Sequence, residues 1–419
     1  MANATKAAAP EPRFSELARR LAAGSVDSLP EGALAEKLAL ADREGRRMRV
    51  KLGIDPTAPD IHLGHAVVLR KLRDFQDAGH RVVLIVGDFT ARVGDPSGRS
   101  TLRPILSEEE IDANAATFQA QALTILDGDP ELLEVRRNSE WLAMDMGELL
   151  ALARTTTAAQ LLERDDFAKR LAAGEPVSML ELLYPLLQGY DSVAVRSDIE
   201  LGGTDQKFNL LLARDIQRAY GVPEQAVMTM PILAGTDGVR KMSKSLGNQI
   251  GVTDAPEEMY GKVLSIPDEA MAQYRELLLR GDAAAGDAGG VGQQTPERDG
   301  SGARDAKHAL AREIVTWLRS PEDAERAARH FDRVVVQGRA PAEIPEAVVA
   351  APDGTVHVPA VIEGEFGMSR SEARRMIDQG AVSLDDAALA QGEYDLPASR
   401  VDGKVLRAGK RKFRRVRVG

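Results

Sequence analysis

The chain has 419 residues, 43% hydrophobic and 28% charged, with 54 Lys and Arg against 64 Asp and Glu and a net charge of −10. No apolar run reaches membrane-span length, and without cysteine there is no disulfide framework and no thiolate ligand or nucleophile. The balance excludes membrane-spanning and disulfide-stapled classes and suits a cytoplasmic protein of two or three domains, each with its own core.

The start, MANATKAAAPEPR, has no hydrophobic signal core and reads as a short flexible lead-in. Residues 1–46 form an N-terminal helical segment, with Leu17, Leu21, Leu34, Leu38 and Leu40 as core candidates and a break near Gly24 to Pro30. Val50 to Ile54 is a short apolar run with the look of a buried strand, ended by the turn signals Asp55-Pro56-Thr57 and Ala58-Pro59-Asp60. After His65 the pattern turns helical, with Val68, Leu69, Leu72 and Phe75 at three- and four-residue steps. His62, Gly64 and His65 therefore sit where a loop feeds a helix N-terminus. In an open parallel sheet that crevice takes phosphates, because free backbone N–H groups and the helix dipole point at the anion. Gly64 permits close approach to the backbone, and imidazoles can donate to charge developing on a triphosphate; the alternative is that both histidines only cap or pack on the helix.

RVVLIVG, Arg81 to Gly87, is a second strand of the kind covered on both faces, completing a right-handed βαβ unit. The following loop carries Asp88, Thr90, Asp95, Arg99 and Arg103. Asp95, between Gly94 and Pro96, suits a substrate ammonium or closes an Asx-turn. Arg99 and Arg103 reach phosphate or are surface charge. Residues 107–189 read as a mainly helical insertion, opened by a capping box at Ser107 and irregular around Gly128 to Asn138. SMLELLYPLLQGYD is apolar on one face and carries Tyr184, Gln188, Tyr190 and Asp191, with Pro185 predicting a kink or a fresh helix start. DIELGGTDQKFNLLL repeats the strand–glycine–helix pattern with Asp205 and Gln206 at the junction, and AVMTMPIL is the last strand. Lys241-Met242-Ser243-Lys244-Ser245 follows, suited to a mobile loop closing over phosphate oxygens or to a solvated basic turn.

Beyond Thr253 the character changes. Pro256 to Arg280 is helical and amphipathic, 281–304 is a Gly-, Ala- and Asp-rich flexible insertion, and Asp305 to Arg329 is helical with Leu310, Ile314, Trp317 and Leu318 on the core face. Ala351-Pro352-Asp353-Gly354 reads as a linker to a small terminal domain, in which MSRSEARRMIDQGAVSL joins a basic helix to a strand. The last twenty residues hold nine Lys or Arg against one Asp. That excess, beside the basic helix, makes Lys410, Arg411 and Lys412, with Arg370, Arg374 and Arg375 on the helix, candidate contacts to an RNA backbone, with a solvated charged face as the alternative. The predicted fold is an α/β doubly wound, Rossmann-like parallel-sheet catalytic domain at 47–252, a helical domain at 253–350 and a small α+β domain at 355–419.

Together, the His62–His65 motif and the lysine loop about 180 positions later resemble the HIGH and KMSKS signatures of class I aminoacyl-tRNA synthetases. Adding the strings YPLLQGYD and GGTDQ, the chain from about Arg47 to its end is similar to the bacterial tyrosyl-tRNA synthetases, and its terminal piece to their S-four-type RNA-binding module. The resemblance implies that Thr57, His62 and His65, with Lys241 and Lys244, stabilise ATP phosphates in the transition state, Arg99 and Arg103 having a related role. It puts Asp55, Gly64, Asp205 and Ser243 at the ATP site, and Asp95, Tyr184, Gln188, Asp191 and Gln206 around tyrosine. Asp191 would accept from the phenol hydroxyl, and Tyr184, Gln188 and Asp95 would hold the ammonium. Many members have YCGFDPT where this chain has KLGIDPT, so Lys51 replaces a tyrosine that touches the phenol; it donates to the hydroxyl or points away. Also implied are ATP with Mg²⁺, no prosthetic group or structural metal, tRNA(Tyr), a homodimer and no membrane partner. The rivals are a tryptophan-specific class I enzyme and a non-catalytic RNA-binding paralogue. A metal-dependent hydrolase is set aside because six histidines and no cysteines show no ligand spacing.

Overall fold

The computed structural model describes residues 10–57, 59–96, 106–279, 300–337, 340–341, 344–351, 353–409 and 412–419. Contacts divide the chain into two units, one running to Asp254 and including Ser265–Leu310, the other comprising Ala255–Leu264 and Ala311–Gly419.

The first unit begins with α1 (Pro12–Ala22), β1 (Asp27–Leu29), α2 (Ala33–Arg43), β2 (Arg49–Ile54), α3 (Leu63–Asp77), β3 (Arg81–Val86) and α4 (Thr90–Val93). It continues through α5 (Glu108–Ala122), β4 (Leu133–Arg137), α6 (Ser139–Leu142), α7 (Met146–Ala153), α8 (Ala158–Leu162) and α9 (Asp165–Ala172). Then come α10 (Met179–Ala194), β5 (Ile199–Gly203), α11 (Lys207–Ala219) and β6 (Ala226–Met230). The six strands form one sheet in the order β1-β6-β5-β2-β3-β4, parallel except for β1. Val50, Leu52, Val82 to Val86, Ile199, Leu201 and Ala226 to Met230 are buried, as strands covered on both faces require. α3 buries Leu63, Ala66, Val67, Leu69, Leu72 and Phe75, one continuous stripe. Strand order reverses between β2 and β5, and a crevice opens there beyond the strands' carboxyl ends.

Three expectations are corrected here. The breaks at Gly24 to Pro30 and Gly128 to Asn138 contain the outermost strands, β1 and β4. Both are short, and the neighbouring strand supplies the hydrogen bonds that their own pattern does not advertise. α10 runs from Met179 to Ala194 through Pro185, so of the two expectations there the fresh helix start is overturned. The lost N–H is tolerated because Tyr184, Pro185, Leu186, Leu187 and Gly189 are all buried, so packing holds the helix together. Gly189 brings α10 close against α11: a Cβ there would lie 2.5 Å from Ile216 Cδ1.

Further along are α12 (Pro256–Ser265), α13 (Met271–Leu278), α14 (Gly300–Leu318) and α15 (Pro321–Phe331). Neither predicted long helix is continuous: Pro267 separates α12 from α13, and Ser320 caps α15 with Pro321 behind it. Because α14 begins at Gly300, residues 300–304 are helical rather than part of an unstructured insertion; 281–299 lie outside the described residues. The terminal part contains β7 (Glu346–Val349), β8 (Thr355–His357), α16 (Val358–Phe366), α17 (Arg370–Asp378), β9 (Val382–Leu384) and β10 (Ala387–Ala388). β11 (Asp395–Pro397), α18 (Ala398–Val401), β12 (Val405–Ala408) and β13 (Lys412–Val418) complete it. Its main sheet has the order β10-β9-β12-β13-β7, over a core including Val356, Ile362, Ala373, Ile377, Val382, Leu406 and Val416. Since β7 pairs with β13, Glu346–Val349 belongs to this terminal sheet and not to a helical domain ending at 350. No described helix is long and apolar enough to cross a membrane.

Candidate active site

A cleft of about 680 Å³ lies over the carboxyl ends of β2 and β5. His62 caps α3: its Nδ1 accepts from Gly64 N at 3.2 Å, and its own N–H donates to His65 Nδ1 at 3.3 Å. With both Nδ1 atoms accepting, each neutral ring carries its proton on Nε2. Burial pushes the His62 pKa down to about 2 and that of His65 to about 4, the Lys241 charge acting in the same direction. The pair is thus a set of neutral N–H donors in the cleft wall. Gly64 is needed for this cap, since a Cβ would stand 3.0 Å from the His62 ring.

Opposite lies the lysine loop. Lys241 Nζ pairs with Asp205 at 2.6 Å, and Lys244 pairs with Asp60. Ser243 N donates to Asn248 Oδ1 at 2.8 Å, and Met242 is buried, so the loop is anchored between its two lysines.

At the inner end α10 lays Tyr184, Gln188, Asp191 and Ser192 along β2. Tyr184 Oη donates to Asp55 Oδ2 at 2.9 Å, and Thr90 Oγ1 donates to Asp55 Oδ1 at 2.6 Å. Burial nevertheless pushes Asp55 up to about 7, with Asp95 and Asp191 adding repulsion, and burial also raises the Tyr184 phenol well above its ordinary value. Asp191 accepts from Trp141 Nε1 at 2.8 Å and from Asn138 at 3.5 Å. Burial raises it to about 6, against the pull of the Lys51 ammonium. Asp95, Gln188 and Gln206 form one network: Gln206 Nε2 donates to Asp95 at 2.8 Å, and Asn209 Nδ2 donates to Gln188 at 2.8 Å and to Gln206 at 3.1 Å. Between these groups Gly53 lines the cleft with nothing within 4 Å of an added Cβ, leaving a slot over the sheet.

Asp55, Thr57, His62, Gly64, His65, Asp95, Tyr184, Gln188, Asp191, Asp205, Gln206, Lys241, Ser243 and Lys244 all line this cleft. Arg99 and Arg103 lie outside the described residues. Lys51 is the correction. Its Nζ is fully buried against Glu200 at 2.8 Å, Ser192 Oγ at 2.8 Å and the Gln188 carbonyl at 3.0 Å, so it is committed beneath the cleft and does not line it. Sequence reasoning missed Asp60, Asn138, Trp141, Glu200 and Asn209. Only Glu200 carried a signal, a carboxylate inside the otherwise apolar strand DIELGG. On the terminal domain Arg370, Arg374 and Arg375 are exposed on α17, whereas Lys412 Nζ donates to the Phe366 carbonyl at 3.0 Å and is half-buried. Lys412 is therefore occupied in joining β13 to α16; Lys410 and Arg411 lie outside the described residues.

Histidine donors at a helix N-terminus, a facing lysine loop and a switch-point crevice define a class I tRNA synthetase, and residues 43–335 match the family model described as tRNA synthetases class I (W and Y). The chain is 48% identical over 404 residues to a tyrosine–tRNA ligase of Moorella thermoacetica, covering 95% of each chain. It is also 48% identical over 396 residues to one of Thermotoga maritima, covering 94% of this chain and 95% of the relative. The chain belongs to the tyrosine–tRNA ligase family. A crystal structure of a tyrosyl-tRNA synthetase complexed with L-tyrosine from Archaeoglobus fulgidus superposes with a TM-score of 0.58 at 27% identity, covering 75% of this chain and 99% of that one.

Proposed function

We propose that the protein activates L-tyrosine with ATP and passes the tyrosyl group to the terminal adenosine of tRNA(Tyr). The observation that carries this reading is the convergence of phosphate-directed donors and an aromatic slot on one cleft: His62, His65, Lys241 and Lys244 at its mouth, Tyr184, Gln188 and Asp191 inside. The tyrosine ring would lie over Gly53, its hydroxyl donating to Asp191 and its ammonium facing the Asp95, Gln188 and Tyr184 end. An oxygen of the tyrosine carboxylate then attacks the ATP α-phosphorus in line, the bond to the bridging oxygen breaks, and pyrophosphate leaves with that electron pair. No enzymic nucleophile or base is required. Neutral imidazole donors and the two ammonium groups stabilise the charge that builds on the phosphates, and Thr57 stands beside them. Asp205 and Gln206, in the turn immediately before α11, would contact the adenylate. Mg²⁺ accompanies ATP as part of the substrate; among the described residues no group of three or more acidic or histidine side chains is placed to hold a metal.

For tRNA, the reading extends to Arg370, Arg374 and Arg375 on an S-four-type terminal domain. A homodimer is supported by the exposed Met146 and Leu150 on α7 and Met179 and Leu180 on α10, an apolar surface on two neighbouring helices. Location in the cytoplasm fits a substrate set of ATP, tyrosine and tRNA. The test is amino-acid-dependent exchange of labelled pyrophosphate into ATP without tRNA. Exchange with tyrosine, and not with phenylalanine or tryptophan, is expected. Exchange driven by tryptophan would move the substrate assignment, and none with any of the three would leave an RNA-binding paralogue.

A further inference from the structure

Lys51 and Glu200 are paired positions on the adjacent parallel strands β2 and β5. Their side chains, 0% and 1% exposed, meet at 2.8 Å. Every polar atom of the pair is engaged. Lys51 Nζ also donates to Ser192 Oγ at 2.8 Å and to the Gln188 carbonyl at 3.0 Å, while Ser192 Oγ at 3.0 Å and the Gln225 amide donate to Glu200 Oε2. A buried ion pair seldom out-stabilises a well-packed apolar pair of the same volume, so its presence in the sheet centre calls for another reason.

Its position supplies one. Ser192 and Gln188, the two α10 residues that Lys51 holds, flank Asp191, and Glu200 itself lines the cleft. The groups facing Asp191 are the indole of Trp141 and the amide of Asn138 from the α6 region, Lys51 from β2 and Glu200 from β5; Asp55 and Tyr184 stand at the far end of the slot. From α11 the uncharged Gln217 donates to the Ser192 carbonyl at 3.2 Å and the uncharged Asn209 to Gln188 Oε1 at 2.8 Å. Lys51 and Glu200 are thus the charged neighbours of opposite sign beneath the carboxylate.

We propose that the Lys51–Glu200 pair is a specificity-determining floor that sets the charge on Asp191 and thereby makes the slot select a ring bearing a hydroxyl over an unsubstituted one. Both are positioning residues acting through Asp191. This deepens the tyrosine reading and rests on it. An ionised Asp191 accepts from a phenol and is left unpaired by phenylalanine, a costly arrangement in a buried site; a protonated one tolerates the bare ring. The ammonium favours the ionised form and the Glu200 carboxylate opposes it.

The test uses the full chain in tyrosine- and phenylalanine-dependent pyrophosphate exchange across pH 5 to 9, with Lys51→Met, Glu200→Gln and the double variant. Wild-type exchange with tyrosine checks the substrate reading by itself, and its absence overturns both that reading and this one. Given that exchange, the midpoint at which tyrosine KM improves with pH should move up in Lys51→Met and down in Glu200→Gln, returning toward wild type in the double variant. Discrimination against phenylalanine should fall at least tenfold in Lys51→Met, while kcat at saturating tyrosine changes less than threefold. If Lys51→Met does not fold, a lower midpoint in Glu200→Gln than in the double variant carries the same information. Midpoints moving together or not at all, with equal losses for both amino acids, would reduce the pair to packing.

Discussion

Tyr184 Oη donates to Asp55 Oδ2 at 2.9 Å, joining the middle of α10 to the carboxyl end of β2 at one end of the substrate slot. Asp55 receives a second hydrogen bond from Thr90, yet burial still holds its pKa near 7, so this carboxyl sits at the balance between charged and neutral forms. Tyr184→Phe removes one of its two donors without changing the ring. Tyrosine KM should rise about tenfold, the equivalent of roughly 1.4 kcal/mol, with the circular dichroism spectrum unchanged. An unaltered KM would take Tyr184 out of the binding site.

The site's carboxylates and histidines bias stability in opposite directions with pH. Asp55 and Asp191 have folded-state pKa values of about 7 and about 6, raised from 3.8, so the folded state binds the extra protons. Their contribution is favourable below pH 3.8 and is lost as pH rises through 6 to 7. For His62 and His65, lowered from 6.5 to about 2 and about 4, the contribution is present above pH 6.5 and is lost as pH falls toward those values. Asp191→Asn should therefore stabilise the chain relative to wild type by an amount that grows between pH 5 and pH 8, exceeding about 1 kcal/mol at the upper end. Urea unfolding at several pH values reads this directly; a gap that stays constant with pH contradicts the buried, high-pKa assignment.

What was legible in the sequence, and what was not, divides along physical lines. β3 and β6 are nearly continuous apolar runs, β2 and β5 are apolar runs each interrupted by one charged residue, and α3 carries an unbroken apolar stripe, so local pattern and tertiary role agree for these elements. β1 and β4 do not announce themselves: each is an edge strand of five residues or fewer whose pairing is decided by its neighbour. Pro185 does not start a fresh helix, because burial on α10 outweighs the local breaker. Within the cleft, residues flanked by glycines or turn signals, such as His62, Asp95 and Asp205, stood out. Trp141 and Asn138 are ordinary in sequence and gain meaning only when folding carries α6 to Asp191. Lys51 was visible as a departure, but its commitment to Glu200 depends on β2 and β5 being neighbours, which sequence separation conceals.

His62 and His65 should behave as permanently neutral donors over the working pH range. Each has Nδ1 occupied by a backbone N–H and a pKa pushed down by burial. Nitrogen NMR of histidine-labelled protein should show both rings as the Nε2–H tautomer at pH 6. Alanine at either position should lower the rate of adenylate formation by about 10²–10³ with little change in tyrosine KM, the pattern of a donor used in the transition state. A protonated ring at pH 6 would overturn the electrostatic assignment.

The loop lysines separate activity from stability. The Lys241–Asp205 and Lys244–Asp60 pairs keep their lysine side chains 59% and 52% exposed, and such pairs contribute under about 1 kcal/mol. Lys244→Ala should leave the melting temperature within about two degrees of wild type. Burst-phase measurement of adenylate formation should nevertheless show a loss of about a hundredfold or more, because the ammonium is needed against phosphate charge. A large drop in melting temperature with little change in rate would make the lysine structural instead.

Two glycines make the last contrast: Gly189 is buried on α10 and Gly53 is exposed on β2, and each matters for a different reason. At Gly53 an added Cβ meets nothing within 4 Å and points into the cleft, whereas at Gly189 it would lie 2.5 Å from Ile216 Cδ1 and 3.3 Å from Ala213 Cα. Gly189→Ala must separate α10 from α11 or displace Ile216, an overpacking cost of about 1–3 kcal/mol. At Gly53 the Cβ itself displaces nothing, and Gly53→Val should fold normally while its γ-methyls occupy the slot assigned to the tyrosine ring. Titration calorimetry with tyrosine should then show at least tenfold weaker binding for Gly53→Val at an unchanged melting temperature. Gly189→Ala should lower the melting temperature first, with binding by the folded fraction much less affected. Tyrosine binding undiminished in Gly53→Val would place the ring elsewhere in the cleft.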